Sequence, residues 1–140
     1  MRVLIVLAAL AAAPAHAQTF DEVRAVVEEI TLENIQAALC QPNANCAPAT
    51  EAERATYPLP EDMSRAVMEV AIRSYAAQTC GLDPDQVSFI PMMQGLRSSG
   101  DFSDRELAFV GVQHGVTFGF LEQSSQFECN AAWRQEFGME

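Results

Sequence analysis

The chain has 140 residues, 49% of them hydrophobic, and a formal net charge of −11. Lysine is absent, which excludes Schiff-base chemistry, a lysine general base and a phosphate-binding P-loop together. So acidic a balance also repels phosphate polymers and anionic bilayers, so nucleic acid and lipid surfaces are not expected as primary partners.

Residues 1–17 read as a secretory signal peptide. Arg2 supplies the positive start, Val3 to Ala13 is an unbroken apolar run, and Ala15-His16-Ala17 is a small-x-small cleavage site. The run is shorter than the roughly 20 residues a spanning helix needs, and Gln18 stands where a lipoprotein carries its lipidated cysteine. The expectation is export to the periplasm or the medium with no membrane anchor after cleavage. Residues 18–140 then form a single helical domain. Its seven arginines against all 19 acids leave a net charge near −12.

The expected fold is all-α: a small bundle of five or six short helices stapled by two disulfides. Thr19 and Glu22 form a capping box ahead of Val23, Val26, Val27 and Ile30, which recur at helical spacing. Thr31 is a possible restart, with Ile35, Ala38 and Leu39 carrying an apolar face to Cys40. Residues 41–49 are rich in Pro and Asn and read as a loop. Thr50 and Glu53 make a second box and a short helix. Glu61 to Cys80 is the clearest long helix, with Met63, Val67, Val70, Ala71 and Ser74 on one face and Ile72 and Tyr75 widening it. Gly81 suits its left-handed end.

Asp83-Pro84-Asp85-Gln86 predicts another helix start, and Pro91 must kink or divide that helix. Ser98-Ser99-Gly100 reads as a turn, and Ser103 with Glu106 as a third capping box. Residues 109–120 are ambiguous: Val, Thr and Phe alternate as in a hairpin, while the box and the spacing of Leu107, Gly111, His114, Phe118 and Leu121 favour a helix. A last helix from about Gln126 to Phe137 would align Cys129, Trp133 and Phe137.

Four cysteines in an exported chain predict two disulfides, with three possible connectivities. Local closure favours Cys40–Cys46, leaving Cys80–Cys129; loop entropy makes these worth about 2.4 and about 4 kcal/mol. The cysteines do not fall in CxxC pairs, which argues against zinc.

Gly111, Gly115 and Gly119 stand at i, i+4, i+8 and draw a ridge without side chains. The expectation is close packing against another helix of the same domain, with a self-association face or a ligand-groove floor as functional readings. His114 is the single histidine after the leader and the ready general base, with Ser98, Ser124 or Ser125 as conceivable nucleophiles, yet no nucleophile-elbow motif accompanies it. Trp133, Phe127 and Phe137 read as core or as an aromatic contact patch. The acids cluster at helix starts, where the helix dipole accounts for them. No metal or cofactor motif and no catalytic residue is expected. The reading is a non-enzymatic exported interaction protein (inhibitor, immunity factor, adaptor or chaperone) whose partner is another exported protein. Its candidate face is Gly111, His114, Gly115, Gly119 and Trp133. The alternatives are an apolar-ligand carrier using a groove beside Met92-Met93, and a hydrolase using His114.

Overall fold

The structure, a computed structural model, describes residues 19–37, 46–124 and 127–139. The expected leader, and Cys40 of the expected Cys40–Cys46 bridge, lie outside the described residues. All the regular elements described are helical.

The three capping boxes form. Thr19 Oγ1 accepts the Glu22 amide at 3.2 Å and the Glu22 carboxylate accepts the Thr19 amide at 2.9 Å, which starts α1 (Phe20–Asn34). Helix α1 does not restart at Thr31: that hydroxyl donates back to the Val27 carbonyl at 2.7 Å and stays inside the helix. A 3₁₀ turn, Ile35–Ala37, comes next. Thr50 and Glu53 start α2 (Glu51–Ala55) by the same reciprocal bonds.

Helix α3 (Glu61–Thr79) ends where Gly81 takes φ +79°, a left-handed turn that glycine enters without a Cβ clash. Its buried face keeps the expected Val67, Ala71, Ser74 and Tyr75 and differs in the rest. Ser64, Val67, Met68, Ala71, Ser74, Tyr75, Ala76 and Ala77 are buried, whereas Met63, Val70 and Ile72 are only half-buried. The helix is rotated toward its small residues, because two serines on that face find partners inside the protein.

Asp83 Oδ1 accepts the Asp85 and Gln86 amides at 3.0 and 3.2 Å and opens the next helical unit. Residues Asp85–Phe89 form a π-helical turn, with the Ile90 amide bonded to the Asp85 carbonyl, and α4 (Ile90–Ser99) continues from it with Pro91 in its first turn. There the missing N–H and the ring of Pro91 are tolerated, so the wide turn is how the proline divides the helix. Helix α4 runs through Ser98 and Ser99 and turns at Gly100, φ +71°.

Residues 109–120 are helical throughout, within α5 (Asp104–Ser124), and the hairpin alternative falls. Ser103 and Glu106 exchange capping bonds of 2.7 and 3.1 Å at its start. The last helix, α6 (Ala131–Glu136), is shorter than expected. Asn130 caps it by accepting the Trp133 amide at 3.0 Å, so Phe127–Asn130 precede the helix and Cys129 shares no helical face with Trp133 and Phe137. A side chain that starts a helix at its own position outweighed the aromatic spacing.

Helix α5 packs against α1, α3 and α4. The core gathers Ile35, Leu59, Val67, Met93, Leu107, Phe109 and Val110. Cys80–Cys129 ties the end of α3 to the segment before α6, with the Cα atoms 4.9 Å apart. Arg105 clamps the segment around α2 onto α5. Its Nε and Nη2 donate to the two Glu53 carboxylate oxygens at 2.8 and 2.7 Å, its Nη1 donates to the Ala47 carbonyl at 2.8 Å, and its guanidinium covers the Phe109 ring at 5.0 Å. Arg105 holds the Glu53 carboxyl down to about 2.

A depressed carboxylate contributes stability that is present above its unfolded pKa and lost as pH falls through its folded one. Arg105→Ala is therefore expected to lower stability by about 2 kcal/mol at pH 7. In paired urea titrations the wild-type advantage should shrink between pH 4.3 and pH 2. An advantage that does not change over that window contradicts the clamp.

Candidate functional site

Helix α5 turns two adjacent polar side chains into the protein. Gln113 is fully buried and His114 is 7% exposed. A buried amide or imidazole costs free energy unless its hydrogen bonds are made, so each needs partners at fixed places.

Gln113 Oε1 accepts from the Tyr57 hydroxyl at 2.9 Å, and its Nε2 donates to the Ser64 carbonyl and to Ser64 Oγ, each at 2.9 Å. Ser64 Oγ passes the chain on, donating to Glu28 Oε1 at 2.6 Å, and Arg24 Nη1 donates to the same oxygen at 2.8 Å. One chain of bonds thus runs from the α2–α3 connection through α5 and α3 to α1. The Tyr57 hydroxyl, the Gln113 amide and the Ser64 hydroxyl each find an acceptor along it, which also sets the orientation of the Gln113 amide. Burial pushes the Tyr57 hydroxyl above its ordinary value, so it stays protonated as the donor.

His114 makes the second bridge to α3: its Nε2 lies 2.9 Å from Ser74 Oγ. The Phe89 ring of the π-helical turn tilts over the imidazole at a centroid distance of 4.6 Å, and Phe118 closes the other side at 6.3 Å. Burial lowers the His114 pKa to about 4. Because the folded value lies below the ordinary 6.5, the neutral ring's contribution is complete above about pH 6.5 and lost as pH falls toward 4.

The serine brought to His114 is Ser74 rather than Ser98 or Ser124, and Ser125 lies outside the described residues. Ser74 is fully buried and the pair is capped by two phenyl rings, so the geometry is that of a satisfied core contact. Sequence reasoning missed Ser64, Ser74, Glu28 and Tyr57 as partners. Their one signal was the polar pair Gln113-His114 interrupting the apolar run from Leu107 to Leu121.

The glycines lie beside this inward face. Gly115 is exposed, Gly111 and Gly119 are half-buried, and among the described residues a Cβ built on any of them would meet nothing within 4 Å. The expectation of close packing within the domain is thereby corrected. The inward side of α5 is taken by Leu107, Val110, Gln113, His114 and Thr117, which turns the ridge outward. Alongside the ridge Ala108 and Val112 pack against the core, and Val116 is half-buried.

Trp133 is half-buried and belongs to a chain of rings leading back to His114. It stacks on Phe137 at 5.8 Å and meets Phe127 at 5.7 Å; Phe127 meets Tyr75 at 5.6 Å, and Tyr75 meets Phe118 at 5.7 Å. Arg73 lies over Phe137 at 5.3 Å and pairs with Glu136. Met93 is a core residue with Met92 packed against it. Two surface depressions stand out elsewhere, about 430 Å³ beside Glu61, Arg65 and Glu69 and about 420 Å³ beside Arg73, Trp133 and Glu136. Among the described residues no group of three or more His, Cys, Asp and Glu is arranged to hold a metal ion.

Comparisons with protein-family models, with curated proteins and with solved structures find no match.

An open glycine inside a helix gives up backbone entropy with no contact in return. Gly115→Ala is expected to raise stability by about 0.5–1 kcal/mol in urea denaturation. A loss of stability would mean that another part of the chain closes against that position.

Proposed function

We propose that this chain is a non-enzymatic interaction protein that docks another exported protein on the outer side of α5. The observation that carries the reading is the outward ridge of α5: the helix buries Leu107, Phe109, Val110, Gln113, His114 and Thr117 and turns Gly111, Gly115 and Gly119 outward. Up to about 1 kcal/mol of helix propensity is forgone at each glycine. Among the described residues nothing within 4 Å of these positions makes use of the missing Cβ. A ridge of that kind lets a partner's helix backbone approach closely.

The same reading includes export through the leader of residues 1–17 and a second bridge, Cys40–Cys46. The net negative charge of the chain favours a partner with a basic rim and disfavours one with an acidic rim. The one serine–imidazole pair is sealed under Phe89 and Phe118, which supports binding over hydrolysis.

The test is capture from periplasmic and culture-supernatant extracts at several pH values. The tagged protein should retain a specific partner, and Gly115→Leu should weaken that capture at least tenfold while the melting temperature stays within a few degrees of wild type. Nothing retained above background, or equal capture by the variant, would contradict the proposal.

A further inference from the structure

Three elements meet at His114: α3 through Ser74, the π-helical turn through Phe89, and α5 itself through Phe118. The turn and α4 form one helical unit between two left-handed glycines, Gly81 at φ +79° and Gly100 at φ +71°. The unit is held to the core largely by Phe89, Met92, Met93 and Leu96, so it can swing on its two glycine turns while α1, α3 and α5 keep their mutual bonds. Ser88, in the same turn, has a buried hydroxyl with no hydrogen-bond partner among the described residues.

We propose that His114 is an acid-sensitive latch: protonating its ring, sealed between Phe89 and Phe118 with only a serine hydroxyl for company, frees the unit from 82 to 99 and uncovers apolar surface on α5. The inference rests on the interaction-protein reading and gives it a regulation, since an exported protein meets ambient pH directly.

No charged group faces the imidazole from the elements packed on it. On α3, Arg73 is engaged with Glu136 and Phe137, and Glu69 is exposed. In the helical unit, Asp83 caps its own turn, Asp85 is exposed and Arg97 lies exposed at the far end of α4. On α5, Glu106 caps the first turn and Glu122 accepts from Gln78. Tyr75 lies against Phe118 rather than the imidazole. A new positive charge there has no carboxylate to meet and is accommodated by reaching water. The attraction of an imidazolium for the Phe89 face acts in the opposite sense, but burial outweighs it, holding the ring's pKa to about 4.

The test is site-resolved amide hydrogen exchange, corrected for intrinsic pH effects, on the wild-type protein and His114→Gln. With the closed ring titrating at about 4 and the open ring at 6.5, opening should increase roughly 60-fold between pH 7 and pH 4.5. The expected result is that this loss of protection falls on residues 82–99, spares the centre of α3 and is absent from His114→Gln. An equal loss in both proteins, or a loss spread evenly over α3, overturns the latch. Should the variant fold poorly, an NMR titration of the wild-type protein decides: loss of the native Phe89 and Phe118 ring shifts together with His114 protonation supports the latch, and protonation with those shifts unchanged overturns it. No partner enters either measurement, so the latch can fail while docking stands, and docking can fail while the latch stands.

Discussion

The arrangement of the helices depends on one constraint: α5 buries two neighbouring polar side chains, and each must be satisfied by α3. Gln113 reaches Ser64 and His114 reaches Ser74, so adjacent residues of one helix grip positions ten apart on the other. Val67, Met68 and Ala71 lie between the two grips and are buried there. Turning α5 by one residue, about 100°, would carry Gln113 out of reach of Ser64 and leave buried polar atoms unpaired on both helices. Apolar contacts alone tolerate such slippage better. The polar seam therefore selects one register among several that would bury similar apolar area. The Glu28 and Arg24 ends of the chain extend that selection to α1.

The same constraint explains the exterior of α5. Once the side bearing Gln113, His114 and Thr117 is inward, the glycines at 111, 115 and 119 can only fall to the outside. The result mixes hydrogen-bonding groups with Leu107, Phe109 and Val110 on the inward side and leaves the glycines outside. His114 brings an ionisable ring into the seam, bonded to Ser74 and held by burial to a pKa of about 4. At the other grip the Gln113 amide does not ionise, and Tyr57 stays protonated.

Much of the local structure was legible in the sequence because local bonds decide it. Thr19 with Glu22, Thr50 with Glu53, and Ser103 with Glu106 start helices by contacts three residues apart, and Gly81 ends one by its own conformational freedom. The Cys80–Cys129 pairing was likewise readable. What failed depended on competition between signals. The aromatic spacing from Cys129 to Phe137 suggested a longer final helix, and the Asn130 cap prevailed. The glycine spacing suggested close packing, but spacing does not say which side of a helix faces inward. That side was set by Ser64 and Ser74, small polar residues on a long helix whose partners lie 49 and 40 positions away in the chain. Pairings of that range have no local signature, so the candidate site could be named from the sequence only in part.

The most direct test of the seam is a double-mutant cycle between Gln113→Leu and Ser64→Ala, read by urea denaturation at pH 7. If the seam sets the register, the two changes are coupled by about 1–2 kcal/mol, because the second removes a partner the first has already stranded. Effects that add to within about 0.5 kcal/mol would show that the two side chains do not act together and would contradict the account.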